Sequence, residues 1–244
     1  MRKYILPKIF AAGCLALLLF QSCKDDSYLT KIPPIPDQSF NEEFDTASAA
    51  LSRGWEFINS SQPSGSSVWQ NGGSIPPFFN AFSNNGSNAG FVGVDYLSTS
   101  ADKGIISNWL ISPPVIIQNG DKIIFYTRAQ QYPDGAGDTT DYGNSLQVRL
   151  NIRNDQLVVG TGADPGDFGK TVLVINPTQI FSSVLAPDPA AYPSQWTRFE
   201  ATISGLDKSV KGRFAFRYFV KDGGSNGFGT GIGIDAVSYK SAGY

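Results

Sequence analysis

The sequence predicts an all-β protein, a jelly-roll β-sandwich, on three observations. Apolar and polar residues alternate with a period of two in several segments, whereas no stretch shows convincing helical periodicity. Glycine, serine, asparagine, proline and aromatic residues are abundant, a composition that suits short strands joined by long turns. The segments that predict the first and last strands lie near the two ends of the domain, and such a set of strands with non-local pairing favours a jelly roll.

The start and the end of the domain are marked by apolar positions. Near the start these are Phe40, Phe44 and Trp55, and residues 46–51 between them fit a single helical turn. The closing strand is marked by Ile232, Ile234, Val237 and Tyr239. A jelly roll brings its first and last strands together, so we expect these two segments to lie side by side.

Four internal segments predict further strands. Residues 146–152 and 213–220 alternate between apolar and polar positions, as expected for strands with one buried face. Residues 123–126 are apolar on both sides, which is typical of a central strand, and residues 172–175 are similar. The turn Asn119-Gly120-Asp121 directly before residues 123–126 predicts a hairpin.

The N-terminal residues predict where the protein works. Three basic residues precede an apolar run, residues 9–20, which is too short to span a bilayer core of ~30 Å. With Cys23 directly after Ser22, the segment resembles a bacterial lipoprotein signal in which Cys23 is the lipidated residue. We therefore expect a signal peptide over residues 1–22, a lipidated cysteine with a proline-rich tether over residues 23–38, and the sandwich over residues 39–244.

Composition excludes several classes of function. Without the signal peptide the chain has sixteen basic and twenty-one acidic residues and no basic run, which argues against a nucleic-acid partner. It has no histidine, and its two cysteines lie in the signal and at the lipidation position. Catalytic schemes that need histidine or a cysteine nucleophile are thereby excluded, together with disulfides and cysteine metal sites.

The order of motifs along the chain carries a family resemblance. The motifs are FNEEFD at residues 40–45, Gly54-Trp55, SNWLISPPV at residues 107–115, GDKIIFY at residues 120–126, LQV at residues 146–148, Trp196, residues 212–218 and IGIDAV at residues 232–237. This order resembles the choice-of-anchor J domains, which are related to the cleaved adhesin domains of secreted bacterial proteases. The resemblance spans most of residues 39–244.

That resemblance implies a galactose-binding-like jelly roll, attached to a cell surface, that binds glycans or proteins or mediates adhesion rather than catalysing a reaction. Trp109, Leu110 and Ile111 of the central motif are explained by core packing. Lys24-Asp25-Asp26 resembles the acidic export signal of surface lipoproteins in Bacteroidetes-type bacteria, with a solvated linker as the alternative. We expect an outer-membrane location at the cell surface; the oligomeric state is not predicted.

The family resemblance also implies a structural calcium ion. Glu43, Asp45 and Asp235 are the best candidate ligands, because calcium takes carboxylate oxygens and the first and last strands should meet. The family often has two adjacent acidic residues where this chain has Asp235 followed by Ala236, which removes one ligand. The alternative is that Asp45 caps a turn and Asp235 accepts backbone hydrogen bonds. A second acidic loop with Asp134, Asp138 and Asp141 is better explained as solvated charge.

Aromatic residues in polar loops give the candidate ligand-binding residues. Sugar rings stack on aromatic faces, and soluble surfaces seldom expose such rings without a reason. The candidates are Trp69, Phe78, Phe79, Tyr132 and Tyr142. The alternative for each is burial beneath its own loop.

Together these observations predict a lipid-anchored surface module that binds a glycan or an extracellular protein without catalysis. Two alternatives stay open. One is a structural surface protein with no small ligand. The other is a glycosidase that uses two carboxylates, although no spacing in the sequence selects such a pair.

Overall fold

A computed structural model describes residues 35–83 and 87–243. Pro36–Tyr244 forms a compact unit that contains the whole sandwich. The predicted signal peptide, Cys23, Lys24-Asp25-Asp26 and most of the tether lie outside the described residues. No helix in the described part of the chain is long and apolar enough to cross a membrane.

Within these ranges the chain forms fourteen β-strands, one α-helix and one 3₁₀ turn. In chain order the strands are β1 (Phe40–Glu42), β2 (Glu56–Asn59), β3 (Gln70–Asn71), β4 (Val92–Asp95), β5 (Gly104–Ile111), β6 (Val115–Ile117), β7 (Lys122–Ala129), β8 (Tyr132–Pro133), β9 (Thr139–Thr140), β10 (Leu146–Asn151), β11 (Lys170–Ile175), β12 (Thr197–Thr202), β13 (Val210–Gly223) and β14 (Gly231–Lys240). The helix α1 is Ala47–Ser52, and the 3₁₀ turn is Tyr96–Ser98.

Twelve of these strands form two antiparallel sheets, and β8 and β9 pair with each other in a separate two-stranded hairpin. Sheet A has the order β12-β7-β14-β4-β3, with β1 also paired to β14. Sheet B has the order β11-β10-β13-β5-β2, with β6 also paired to β13. The first and last strands pair directly, with Phe40 opposite Tyr239 and Glu42 opposite Val237. The predicted all-β jelly-roll sandwich is therefore confirmed.

Rings from both sheets meet in the core between them. Phe125 of sheet A lies 4.8 Å from Phe216 of sheet B, measured between ring centroids. Tyr239 of sheet A stacks on Phe214 of sheet B at 5.6 Å. Both pairs are fully buried. Each such side chain contributes roughly 1.5–3 kcal/mol when removed from water, so apolar burial is the main source of stability.

The single helical turn predicted at residues 46–51 corresponds to α1. Thr46 is its N-cap, and its hydroxyl oxygen accepts a hydrogen bond from the Ala49 amide at 3.2 Å. This bond satisfies one of the free amides at the start of the helix. The helix ends at Ser52, just before Gly54 adopts a positive φ of 93°.

The outer face of sheet B is buried as well, which the alternating pattern did not predict. Trp109, Ile111 and Ala215 point away from the main core and pack against Phe168. Phe168 belongs to the long loop over residues 152–169, which crosses this face. The residues that alternate with the core positions of β13 are therefore covered rather than solvated.

Two predictions about strand neighbours are wrong. Residues 172–175 were expected in a central strand, but β11 lies at the edge of sheet B and is half-exposed. The turn Asn119-Gly120-Asp121 does not close a hairpin, because β6 pairs with β13 and β7 belongs to the other sheet. The turn instead carries the chain from one sheet to the other.

Candidate functional site

Three tyrosines from separate parts of the chain line one cleft at an end of the sandwich. Tyr96 comes from the 3₁₀ turn, Tyr132 from β8, and Tyr142 from the loop after β9. The opposite wall is formed by residues 224–229 of the loop between β13 and β14. The cleft has a volume of about 460 Å³ and opens to solvent. We call it the tyrosine cleft.

The rings of the cleft are held by local hydrogen bonds and mutual contacts. Asp95 caps the 3₁₀ turn, its carboxylate accepting from the Leu97 amide at 3.0 Å, which positions Tyr96. The Tyr96 ring meets the Tyr132 ring edge-on at 6.4 Å. Tyr142 has a φ of 49°, and its hydroxyl donates to the carbonyl oxygen of Pro133 at 2.9 Å. The rings are therefore preorganised, which lowers the entropic cost of binding.

A buried polar network supports the cleft from below. Asn144 is central to it: its Nδ2 donates to Thr230 Oγ1 at 2.8 Å, and its Oδ1 accepts from the Tyr218 hydroxyl at 2.7 Å. The Gly229 amide donates to the carbonyl oxygen of Tyr142 at 2.7 Å. These contacts tie the tyrosine wall to the wall formed by residues 224–229. Fully satisfied networks of this kind rigidify a site.

The glycine-rich wall depends on close backbone approach. Gly224 has a φ of 136°, and a Cβ there would lie 2.2 Å from the carbonyl oxygen of Ala101. Ser225 Oγ donates to Asp102 Oδ1 at 2.7 Å, and the Asn226 amide donates to the carbonyl oxygen of Asp102 at 3.1 Å. The wall thus presents the exposed side chains of Ser225 and Asn226 on a fixed backbone.

Two shallower depressions adjoin the cleft. One, of about 420 Å³, shares Tyr142 with it and is further lined by Asp134, Thr140, Phe181, Ser183 and Ala186. The other, of about 200 Å³, shares Asn226 and Gly227 with the cleft and is further lined by Lys103, Phe181 and Phe228. Phe181 lines both depressions and is half-exposed. The three hollows therefore form one continuous surface.

Burial and nearby charge set the titration behaviour of the cleft. Burial raises the pKa of Tyr132, and the neighbouring Tyr96 and Asp95 raise it further. Burial also raises the pKa values of Asp95 and Asp141 above the ordinary value, against the hydrogen bonds that each accepts. Tyr132 thus stays neutral at physiological pH, and it offers its ring face and its hydroxyl to a ligand.

The structure brings two of the predicted ligand-binding residues together and separates the rest. Tyr132 and Tyr142 share the cleft. Trp69 is only 1% exposed and packs in the main core, so its ring offers no face to a ligand. For Trp69 the correct explanation is the alternative, burial beneath its own loop.

Phe78 and Phe79 lie elsewhere, on the outer face of sheet A. Phe79 stacks on buried Phe91 at 4.9 Å and meets Trp196 edge-on at 5.3 Å. The guanidinium carbon of Arg128 lies 4.3 Å from the Phe79 ring centroid. Both phenylalanines are half-buried in this second aromatic cluster, so they do not join the tyrosine cleft.

The predicted calcium ligands do not form a complete site in the described residues. Asp235 is fully buried, and Asp45 is exposed. The oxygens of Asp235 accept from the amides of Phe82, Ser83 and Ala236, at 2.9, 3.0 and 2.7 Å. No group of three acidic side chains in the described ranges stands close enough to share a cation.

This arrangement fits the alternative for Asp235, a carboxylate that organises backbone, rather than a metal site. Burial raises the pKa of Asp235 to about 6, and the charge of Glu43 adds to that effect. A carboxylate surrounded by amide donors already has its charge compensated in part. Calcium stays a prediction, and we derive no function from it.

Several residues of the site were missed at the sequence level. Tyr96, Phe181, Phe228 and Asn226 all line the tyrosine cleft or its depressions. Phe181 and Phe228 are aromatic residues in polar, glycine- or serine-containing loops. They therefore met the criterion that selected Tyr132, an aromatic ring in a polar loop. Tyr96 carried no such signal, because it lies next to the apolar segment of β4.

Comparisons with known proteins give likenesses in fold. No protein-family model matches the chain, and no curated protein does. Among solved structures, the K1 cleaved adhesin domain of Lys-gingipain from Porphyromonas gingivalis is 18% identical, with a TM-score of 0.46 over 83% of this chain and 98% of that one. The K3 domain of the same protein is 14% identical, with a TM-score of 0.47 over 84% and 97%.

A second kind of likeness is to carbohydrate-binding modules. The C-terminal family 22 module of Clostridium thermocellum Xyn10B is 11% identical, with a TM-score of 0.39 over 83% of this chain and 92% of that one. At these identities and TM-scores, neither kind of likeness decides what this chain binds. The function must be argued from the cleft itself.

Proposed function

We propose that this chain is a non-catalytic binding module whose tyrosine cleft holds a glycan. The observation that carries the proposal is the convergence of Tyr96, Tyr132 and Tyr142 on one preorganised cleft. Aromatic faces bind the apolar faces of sugar rings, and the polar side chains of Ser225 and Asn226 can bond the hydroxyls at the ring edges.

The lining of the cleft supports binding over hydrolysis. A glycosidase needs two carboxylates that flank the bond to be cleaved. Within the described residues no carboxylate lines the tyrosine cleft, and Asp134 is the one acid that lines an adjoining depression. This arrangement supports a site that holds its ligand without transforming it.

Direct binding measurements test this proposal against the structural-protein alternative. The chain from Pro36 onward, which contains the whole sandwich, is screened against a glycan array and a panel of matrix proteins. We expect glycan binding that Tyr132→Ala removes. Tyr126→Ala is the matched control, because Tyr126 stacks on Phe82 outside the cleft, at 3.7 Å. Absence of binding to every glycan and protein would favour the structural alternative. Loss of binding in Tyr126→Ala alone would place the binding site around Tyr126 instead of the tyrosine cleft.

We also propose that the chain belongs with the choice-of-anchor J and cleaved adhesin domains and that it acts at the cell surface on a lipid anchor at Cys23. The support is the order of motifs and the short apolar run that ends before Cys23. Cys23→Ser should release the full chain from membrane fractions. A variant that still fractionates with membranes would contradict the anchor while leaving the binding proposal intact.

A further inference from the structure

The acidic residues of the sandwich are distributed unevenly. The described residues contain nineteen acidic and fourteen basic side chains. Seven of the acids lie in the loops that form or support the tyrosine cleft or at the strand ends next to those loops: Asp95, Asp102, Asp134, Asp138, Asp141, Asp188 and Asp222. Only Lys103 and Lys221 lie among those loops, and the rest of the described chain holds twelve acids and twelve bases. The acidic excess of the described residues therefore lies in the segments that form or support the cleft.

Several contacts place this charge at the cleft. Asp102 accepts from Ser225 Oγ at 2.7 Å, and Ser225 lines the cleft. Asp134 lines the depression that shares Tyr142. Asp95 caps the 3₁₀ turn that carries Tyr96, and the Tyr96 ring meets the Tyr132 ring at 6.4 Å. A negative field at a partly enclosed surface attracts cations and repels anions.

The tyrosine rings suit the same class of ligand. The face of an aromatic ring carries negative charge, so an ammonium group is attracted to it within about 6 Å of the centroid. Three rings around one cleft, with carboxylates behind them, therefore favour a positively charged group. An anionic sugar, such as a uronic acid or a sulfated residue, would meet repulsion from both.

The extent of the surface selects a chain of sugars over a single ammonium group. The cleft and its two depressions are continuous through Tyr142, Phe181 and Asn226. Their lining combines the rings of Tyr142 and Phe181 with the polar residues Thr140 and Ser183. Such a mixed lining suits successive sugar rings, which have apolar faces and polar edges.

We propose that the tyrosine cleft selects glycans that carry free amino groups, and that it engages more than one sugar residue. This inference rests on the proposed function and adds the charge class and the length of the ligand. Ligand amines are held by ring faces and by the field of the surrounding aspartates.

The test compares three oligosaccharides of equal length with the chain from Pro36 onward, by calorimetry at pH 6. The probes are a tetramer of β-1,4-linked glucosamine, its N-acetylated counterpart and a galacturonic acid tetramer. We expect the glucosamine tetramer to bind most tightly, the galacturonate tetramer least, and the glucosamine monomer far more weakly than the tetramer. Added salt should weaken only the binding of the glucosamine tetramer.

Charge variants separate the field from the shape of the cleft. Asp102→Asn and Asp134→Asn keep an oxygen acceptor where each aspartate now accepts, and each should weaken glucosamine-tetramer binding about two- to fivefold. Lys103→Gln should strengthen it. Asp207→Asn is the control, because it removes an exposed negative charge far from the cleft. The neighbouring Leu206 amide donates to Asn119, which lies beside the start of β7. Tyr132 follows the other end of the same strand.

The outcomes distinguish the two proposals. If the N-acetylated or galacturonate tetramer binds as tightly as the glucosamine tetramer, and Tyr132→Ala still removes binding, the charge preference is wrong and the cleft stands. If Tyr132→Ala changes nothing, the cleft itself is wrong. If tetralysine binds as well as the glucosamine tetramer, recognition of sugar rings is wrong. Failure of every probe to bind also overturns the inference.

Discussion

The hydroxyl of Tyr142 donates a hydrogen bond to the carbonyl oxygen of Pro133 at 2.9 Å and so closes the acidic loop between β8 and β9. Pro133 directly follows Tyr132, so this one bond links the two tyrosine-bearing segments of the cleft. At the base of the loop, β8 and β9 pair over only two residues each. The contact from Tyr142 therefore supplements a very short hairpin.

Removal of this hydroxyl should loosen the loop without unfolding the domain. Tyr142→Phe keeps the ring and loses one partly exposed hydrogen bond, at a cost of about 0.5–1.5 kcal/mol. We expect faster hydrogen exchange at the amides of Asp134 and Thr139, with β13 and β14 unchanged. Unchanged exchange at those loop amides would show that the two-residue pairing of β8 with β9 holds the loop without the Tyr142 hydroxyl.

Arg217 should hold the loop over residues 152–169 against the outer face of sheet B. It is 1% exposed, its guanidinium carbon lies 4.7 Å from the Trp109 ring centroid, and it donates to the carbonyl oxygens of Gly162 and Asp164 in the loop over residues 152–169. Burial, with the charge of Arg149, lowers its pKa to about 9, so it stays protonated at neutral pH.

Lysine should not replace this arginine, because the planar guanidinium both stacks and bonds in several directions. We expect Arg217→Lys to lower the free energy of unfolding by about 2–4 kcal/mol and to make residues 152–169 sensitive to protease. Arg153→Lys is the control, since Arg153 is largely exposed. Urea denaturation checks the energy; equal stability of the two variants would refute the role of Arg217.

The buried carboxyl of Asp235 predicts a specific pH dependence of stability. Its pKa is raised from 3.8 to about 6 in the folded protein, chiefly by burial, so the folded state holds a proton that the unfolded state releases. The associated stabilisation is complete below the unfolded pKa and is lost as pH rises through about 6.

The free energy of unfolding should therefore fall by on the order of 1–3 kcal/mol from this group as pH rises from about 4 to about 6.5. Asp235→Asn should be less stable overall, because one of the two acceptor oxygens becomes an NH2 donor that faces either the amides of Phe82 and Ser83 or the amide of Ala236. The variant should also lack this pH-dependent component. Urea denaturation across that pH range compares the two proteins. An identical pH profile in the variant would rule Asp235 out as the titrating group.

Chelation tests the calcium ion that the family resemblance implies. A bound calcium ion would make EDTA lower the melting temperature, whereas an Asp235 that only accepts backbone hydrogen bonds, with Asp45 exposed, would leave the melting temperature unchanged. A fall in melting temperature with EDTA that Asp235→Ala abolishes would restore the calcium site. Binding of barium or a lanthanide ion at Glu43 or Asp235 would likewise support a calcium site there.

Much of the sandwich was predictable because the strand period reports burial on a core face. The alternation of Phe214, Phe216 and Tyr218 identified the core side of β13, and all three are fully buried. Pairing of the first strand with the last followed from the jelly-roll hypothesis, whereas the register of Phe40 opposite Tyr239 did not. The position of residues 172–175 at the edge of sheet B was not predictable. An apolar run indicates that a strand is buried, but it does not indicate how many neighbouring strands pair with it.

The site was only partly predictable because exposure of a loop ring depends on tertiary contacts. Trp69 and Tyr132 lie in similar polar surroundings in the sequence, yet one fills the core and the other lines the cleft. Tyr96 joins the cleft through the position of the 3₁₀ turn next to β8. No local pattern specifies that juxtaposition, which arises from the packing of distant segments.

We propose that the tyrosine cleft is where this protein holds its ligand. The most direct test is a two-dimensional amide NMR titration of the chain from Pro36 onward with each of the three tetramers in turn. We expect saturable shifts at Tyr96, Tyr132, Tyr142 and residues 224–229 with at least one of them. Shifts concentrated instead at Phe82, Tyr126 and Trp196 on the outer face of sheet A, or the absence of any saturable shift, would contradict it.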